Sequence, residues 1–167
     1  AIVSRLMTRS SRDLMNSRNA EIERNIALKE SNERFKGSLD LATDAIVIIN
    51  HSNTIEVFNP AAEAMYEIAA ERAIGQNIQD LLIPARLRNA QESGFRRFRE
   101  TGSPVVLGVK LETFSLRADG SEFPIELTVQ QLSGGESQFI AYIRDLSERK
   151  RLLDELAQKE KQIGLKR

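Results

Sequence analysis

Apolar residues over the first 35 positions recur at loosely helical spacing. Leu6, Leu14, Ile22, Ile26 and Leu28 stand in dense charge with no Gly or Pro among them. The pattern predicts one long exposed helix over 1–35. Its apolar stripe is broken at Thr8–Asp13 and again at Asn16–Glu21, so sustained heptads are absent and a coiled coil formed by this helix alone is marginal.

The pattern changes after residue 36. A short amphipathic segment, Ser38–Asp44, leads into Ala45-Ile46-Val47-Ile48-Ile49, an unbroken apolar run and the strongest strand signal in the chain. His51-Ser52-Asn53 are turn formers and Thr54-Ile55-Glu56-Val57-Phe58 alternates, so the two runs predict a hairpin. Asn59-Pro60 ends it with a helix cap and a proline at the first helical position. Short helices are predicted over 60–66, 69–73 and 77–82, broken by Gly75 and closed by Pro84. A longer helix over 86–100 sets Leu87, Ala90, Gly94, Phe95 and Phe98 on one side and five arginines around the rest, stopped by Thr101-Gly102-Ser103-Pro104.

Three strands follow, at about 109–117, 122–131 and 137–144, joined by Ala118-Asp119-Gly120-Ser121 and Ser133-Gly134-Gly135-Glu136 turns. Phe123, Ile125, Leu127 and Val129 alternate along the middle strand, as expected for an antiparallel strand with one buried face. Beyond Asp145 the chain is charged and helical. Leu146 and Leu153 lie seven apart, as do Leu156 and Ile163, which favours a coiled-coil exit helix. The organisation expected is an N-terminal helix over 1–35, a globular domain over 36–146 and a C-terminal linker helix over 147–167.

Composition removes several function classes. Of 167 residues 41% are hydrophobic, enough for one ordinary core. Lys plus Arg equal Asp plus Glu at 24 each, so no global charge draws the chain to nucleic acid or to an anionic membrane. The absence of cysteine excludes a disulfide, a thiolate metal site, a cysteine nucleophile and a cysteinyl flavin adduct. No apolar run approaches the roughly 20 residues a spanning helix needs. The start, in mid-pattern and without Met, leads to the expectation of an excised piece of a longer protein. No Ser-His-Asp set is evident, and the carboxylate pairs Glu30 with Glu33 and Asp145 with Glu148 fall on charged helical surface, so the expectation is no enzyme activity. Arg86, Arg88, Arg96, Arg97 and Arg99 are interleaved with Glu92 and Glu100 and are expected to be a solvated helix face.

Two strands, several short helices, a longer helix and three strands is the element order of the PAS fold, an α+β arrangement. Such a domain is a five-stranded antiparallel sheet with helices cupped over one face. The sequence resembles PAS domains at Asp44-Ala45-Ile46-Val47-Ile48-Ile49, Phe58-Asn59-Pro60-Ala61-Ala62-Glu63, Ile74-Gly75-Gln76-Asn77, Arg117-Ala118-Asp119-Gly120-Ser121-Glu122-Phe123-Pro124 and Ile143-Arg144-Asp145-Leu146-Ser147-Glu148-Arg149. Any one of these words is common; five in order are specific. The resemblance implies a bacterial sensory module that detects a small ligand, or relays an upstream signal, through its flanking helices. Its output domain is then a histidine kinase or a diguanylate cyclase or phosphodiesterase in the same longer chain. A homodimer is implied, with Leu146, Leu153, Leu156 and Ile163 as the seam, as is a cytoplasmic location, free or as part of a membrane-anchored protein. The matching acidic residue in the family passes strain from sheet to exit helix, a role this resemblance gives to Asp145.

The segment from Pro84 to Arg99 looks like that of haem-binding oxygen sensors of this family, which hold iron through a histidine on the long helix. In register, Gln91 stands at that position and Leu111 where those sensors carry a distal arginine. Gln is not an ordinary haem ligand. The single histidine, His51, belongs to a turn and reads as an exposed turn residue. Without cysteine a light-sensing flavin is excluded, while a redox flavin stays open. The expectation is no bound cofactor, with Phe58, Asn59, Tyr66, Gln91, Phe95 and Thr113 as candidate pocket residues. Few of these are polar, which leans toward the alternative of a ligand-free homodimerisation and relay module with a filled core.

Overall fold

The computed structural model describes residues 2–101, 108, 110–132 and 138–165, in two compact units, Ala1–Leu41 and Ala42–Arg167. The first unit is a single helix, α1 (Ile2–Leu41), about 60 Å long at 1.5 Å per residue. Leu14, Met15, Ile22, Ile26, Leu28 and Phe35 are exposed along it. The helix runs six residues past the predicted end at 35, because Ser38–Leu41 continues it instead of forming a separate segment; Ser38 turns its hydroxyl back to the Arg34 carbonyl and leaves the backbone ladder intact.

The second unit is a five-stranded antiparallel sheet with helices over one face. In chain order it comprises β1 (Ala45–Ile49), β2 (Ile55–Phe58), α2 (Pro60–Tyr66), α3 (Ala70–Ala73), α4 (Ile78–Leu82), α5 (Ala85–Thr101), β3 (Lys110–Leu116), β4 (Glu122–Leu132), β5 (Gln138–Asp145) and α6 (Ser147–Leu165). The sheet order is β2-β1-β5-β4-β3. β1 lies between β2 and β5 and is buried at all five positions, the physical reason its sequence is apolar without alternation. Val47, Ile49, Phe123, Ile125, Phe139, Ala141 and Ile143 form the inner face and pack on Ala62, Tyr66, Ala73, Ile78 and Leu82 from the short helices. Tight backbone geometry falls where the sequence permits it: Gly120 takes φ 82° in the β3–β4 hairpin, and Asn53 takes φ 62° in the β1–β2 turn. The predicted turns at 102–104 and 133–136 lie outside the described residues.

Candidate functional site

The cup between the inner face and the helices is closed at one end. Asn59 is the N-cap of α2, and its Oδ1 accepts from the amides of Ala62 at 3.0 Å and Ile46 at 2.8 Å, while Nδ2 donates to the Asp44 carbonyl at 3.1 Å. That side chain thus ties the start of β1 to the start of α2. Tyr66 is fully buried, with the rings of Phe58 and Phe123 at 5.9 and 5.6 Å from its own. Ser115 Oγ lies 3.0 Å from the Tyr66 hydroxyl and 2.7 Å from the Leu82 carbonyl. The carbonyl can only accept, so the single serine proton goes to it and Tyr66 donates to Ser115. Burial, against a smaller opposing effect of Ser115, pushes the Tyr66 phenol up to about 12. Phe58, Asn59 and Tyr66, expected as pocket lining, are therefore structural: their polar atoms are spent inside the fold and their rings fill this end of the core.

The other end of the inner face is less covered. Thr113 and Leu111 share the Ser115 side of β3, and Leu111, opposite Leu127, remains 43% exposed. A polar cluster joins α4, α5 and the β1–β2 turn. Gln79 Nε2 donates to Gln91 Oε1 at 2.5 Å and to Glu92 Oε2 at 3.1 Å, and Asn53 Nδ2 donates to the same Glu92 oxygen at 3.3 Å. Asn53 is 5% exposed and its Oδ1 has no hydrogen-bond donor among the described residues. Gln91 is thus held by α4. The α5 sequence carries no His, Cys, Met or Tyr, the side chains that ligate haem iron, so α5 supplies no residue that fits that role. The Phe95 side chain lies outside the described residues. His51 is an exposed residue of the β1–β2 turn.

At the far edge of the closed end the sheet meets the exit helix. Asp145, the last residue of β5, accepts the Ser147 amide on Oδ1 at 2.7 Å and so caps the start of α6. Its Oδ2 receives Arg117 Nη2 at 2.7 Å. The same guanidinium donates through Nη1 to the Met65 carbonyl at the end of α2, lies within 3.4 Å of Ser147 Oγ, and stacks 3.9 Å above the Phe123 ring. One side chain therefore joins α2, β4, β5 and α6. Burial pushes the Asp145 carboxyl up, but the Ser147 hydroxyl and amide together with Arg117 outweigh it and hold Asp145 below the usual carboxylate range. Sequence reading singled out Asp145 and missed Arg117 as its partner. A signal was present: an arginine two residues before Asp119-Gly120 leaves the hairpin base pointing back at the adjoining strands.

Leu146, expected in a dimer seam, is 4% exposed, and its amide donates to the Pro124 carbonyl at 2.9 Å. It belongs to the body of the sheet unit, because the turn from β5 into α6 folds it against the sheet. The exposed large apolar residues of α6 are Leu152, Leu153, Leu156, Ile163 and Leu165.

A sheet of this order, cupped by short helices and followed by an exit helix, is the α+β architecture of a PAS domain. The PAS domain family model matches residues 43–148, and the chain belongs to that family. It is 32% identical over 123 residues to the Sensor protein FixL of Bradyrhizobium diazoefficiens, covering 73% of this chain and 24% of that protein. It is 36% identical over 115 residues to the Oxygen sensor protein DosP of Escherichia coli, covering 68% of this chain and 14% of that one. The crystal structure of the PAS domain of an HTR-like protein from Haloarcula marismortui superposes with a TM-score of 0.57 at 24% identity, covering 74% of this chain and 98% of that one. The chain spans about a quarter or less of the curated relatives it matches. Membership of this family, with sensor proteins among the relatives, supports a role in sensory signal transduction.

Proposed function

We propose that this PAS domain converts a change at the inner face of its sheet into a change in the start of α6, and that α6 hands it to an output domain in a longer chain. The observation that carries this is the Arg117 bridge, because Asp145 cannot leave Arg117 without also disturbing the α6 cap. A histidine kinase or a cyclic-dinucleotide enzyme is the output we propose, and the domain itself contributes no catalysis. Among the described residues no helix is long and apolar enough to cross a membrane. The chain pairs as a homodimer through the exposed leucines of α6, with Leu153 and Leu156 at the seam.

Two inputs are compatible with such a relay. A small ligand on the uncovered part of the inner face, around Leu111, Thr113 and Leu127, is supported by the 43% exposure of Leu111 on a face otherwise committed to the core. A ligand-free relay is supported by the filled end around Tyr66. The test is Asp145→Ala in the full-length protein, with output activity and native mass spectrometry of the domain read together. Altered output with unchanged ligand occupancy supports the relay through Asp145; unaltered output removes it.

A further inference from the structure

Phe114 projects from the outer face of β3, opposite the side that carries Ser115, and is 40% exposed. Two cations from two different helices lie over its ring. The Arg86 guanidinium carbon, from the first turn of α5, is 5.1 Å from the ring centroid, and Lys150 Nζ, from the first turn of α6, is 5.5 Å from it. Each cation is also steered by a carboxylate: Arg86 meets Glu122 of β4 at 2.7 Å, and Lys150 meets Glu112 of β3 at 3.9 Å. Glu112 and Glu122 thus take one helix each in these pairs, whereas the ring meets both.

We propose that Phe114 is a positioning residue that couples the first turn of α5 to the first turn of α6 across the outer face of the sheet. An aromatic face attracts a cation through its quadrupole, and the attraction is lost when the cation slides off the ring. With two cations on one ring, a shift of α5 that moves Arg86 changes where Phe114 rests, and Lys150 must follow. The carboxylates keep two like charges tolerable at this spacing, since each is largely offset by its own partner. α5 carries Gln91 and Glu92 of the polar cluster, so this route begins at the helix that closes with α4 over the β1–β2 turn. It runs on the opposite face from the Arg117 bridge and shares with it only the destination. It rests on the proposed reading that α6 carries the output.

The experiment is hydrogen exchange with mass spectrometry on this chain, comparing Phe114→Leu, Phe114→Tyr, Arg86→Met and Lys150→Met with Asp145→Ala in the same series. Phe114→Leu keeps the apolar volume and both carboxylates but removes the ring face. It is expected to speed exchange in the first turns of both α5 and α6 by roughly two- to fivefold, the range an exposed cation–π contact allows. Phe114→Tyr is expected to restore protection. Arg86→Met is expected to speed exchange in α6, and Lys150→Met in α5. The proposal is overturned if each cation variant affects only its own helix, or if Leu and Tyr at position 114 behave alike. Because Lys150 is half-exposed at the start of α6, outside the hydrophobic core, its variant reports even where another fails to fold. An Asp145→Ala variant without effect on α6 counts against the Arg117 route alone and leaves the Phe114 result standing.

Discussion

Replacing Arg117 by Met removes the charge while keeping a similar length. The variant loses the hydrogen bond to Asp145 at 2.7 Å, strips a donor from the Met65 carbonyl and takes the cation off the Phe123 ring. Hydrogen bonds to charged groups contribute about 1.5–3 kcal/mol each and a partly desolvated cation–π contact about 1–2 kcal/mol. These contributions overlap on one guanidinium, and the side chains are 24% and 30% exposed, so water replaces part of what is lost. The expected destabilisation is therefore about 2–4 kcal/mol, which at about 4 °C per kcal/mol for a domain of this size lowers Tm by roughly 8–16 °C. The Arg117–Asp145 pair stands between a surface pair and a buried one, and a double-mutant cycle with Asp145→Asn is expected to return a coupling of about 1–2 kcal/mol. Urea unfolding should be followed by near-ultraviolet circular dichroism of tyrosine, since the chain has no Trp and Tyr66 is packed in the core of the PAS body. Far-ultraviolet signal is less suitable because it mixes in the separate unit α1. A coupling within about 0.3 kcal/mol of zero refutes the hub, because side chains that far from interacting are additive.

Further outcomes can be checked on the same protein. The native Asp145 carboxyl lies below its unfolded value, so the stability it contributes is present above about pH 4 and is lost as pH falls through the native pKa; Asp145→Asn should flatten that part of an acid-stability profile. Tyr66 behaves in the opposite sense: with its phenol raised from 10.0 to about 12, stability is full below pH 10 and falls by about 3 kcal/mol as pH rises toward 12. In a Tyr142→Phe variant, tyrosinate absorbance then reports Tyr66 alone and should rise only as the fold is lost; a free titration near pH 10 in the folded protein contradicts the burial argument. Asn59→Ala strands the buried Ile46 amide and removes the α2 cap, and should cost about 2–4 kcal/mol in urea unfolding. Replacing both Leu153 and Leu156 by Asp should weaken self-association in analytical ultracentrifugation, and an unchanged sedimentation profile removes α6 from the dimer interface.

Local sequence carried most of the architecture, because each element of this fold is encoded by its own short-range pattern. The apolar run at 45–49 is a strand buried on both faces, Asn59-Pro60 caps a helix, Asp119-Gly120 turns a hairpin, and the alternation at 123–129 marks the inner face of β4. Asp145 was legible as the end of the last strand. Side-chain partnership was not legible, because it joins residues far apart in the chain whose juxtaposition depends on sheet order. Arg117 finds Asp145 only because β4 lies between β3 and β5 and brings the hairpin base beside the α6 cap. The same packing spends Asn59 and Tyr66 on internal hydrogen bonds, so residues that looked available for a ligand became structure. It also draws Leu146 into the body, although its heptad spacing matches a coiled-coil seam, and sets Phe114 between two helices that no local pattern connects. Periodicity reports which face of an element is buried. What that face meets, and which polar atoms are already used when it gets there, follows only from the assembled sheet and helices.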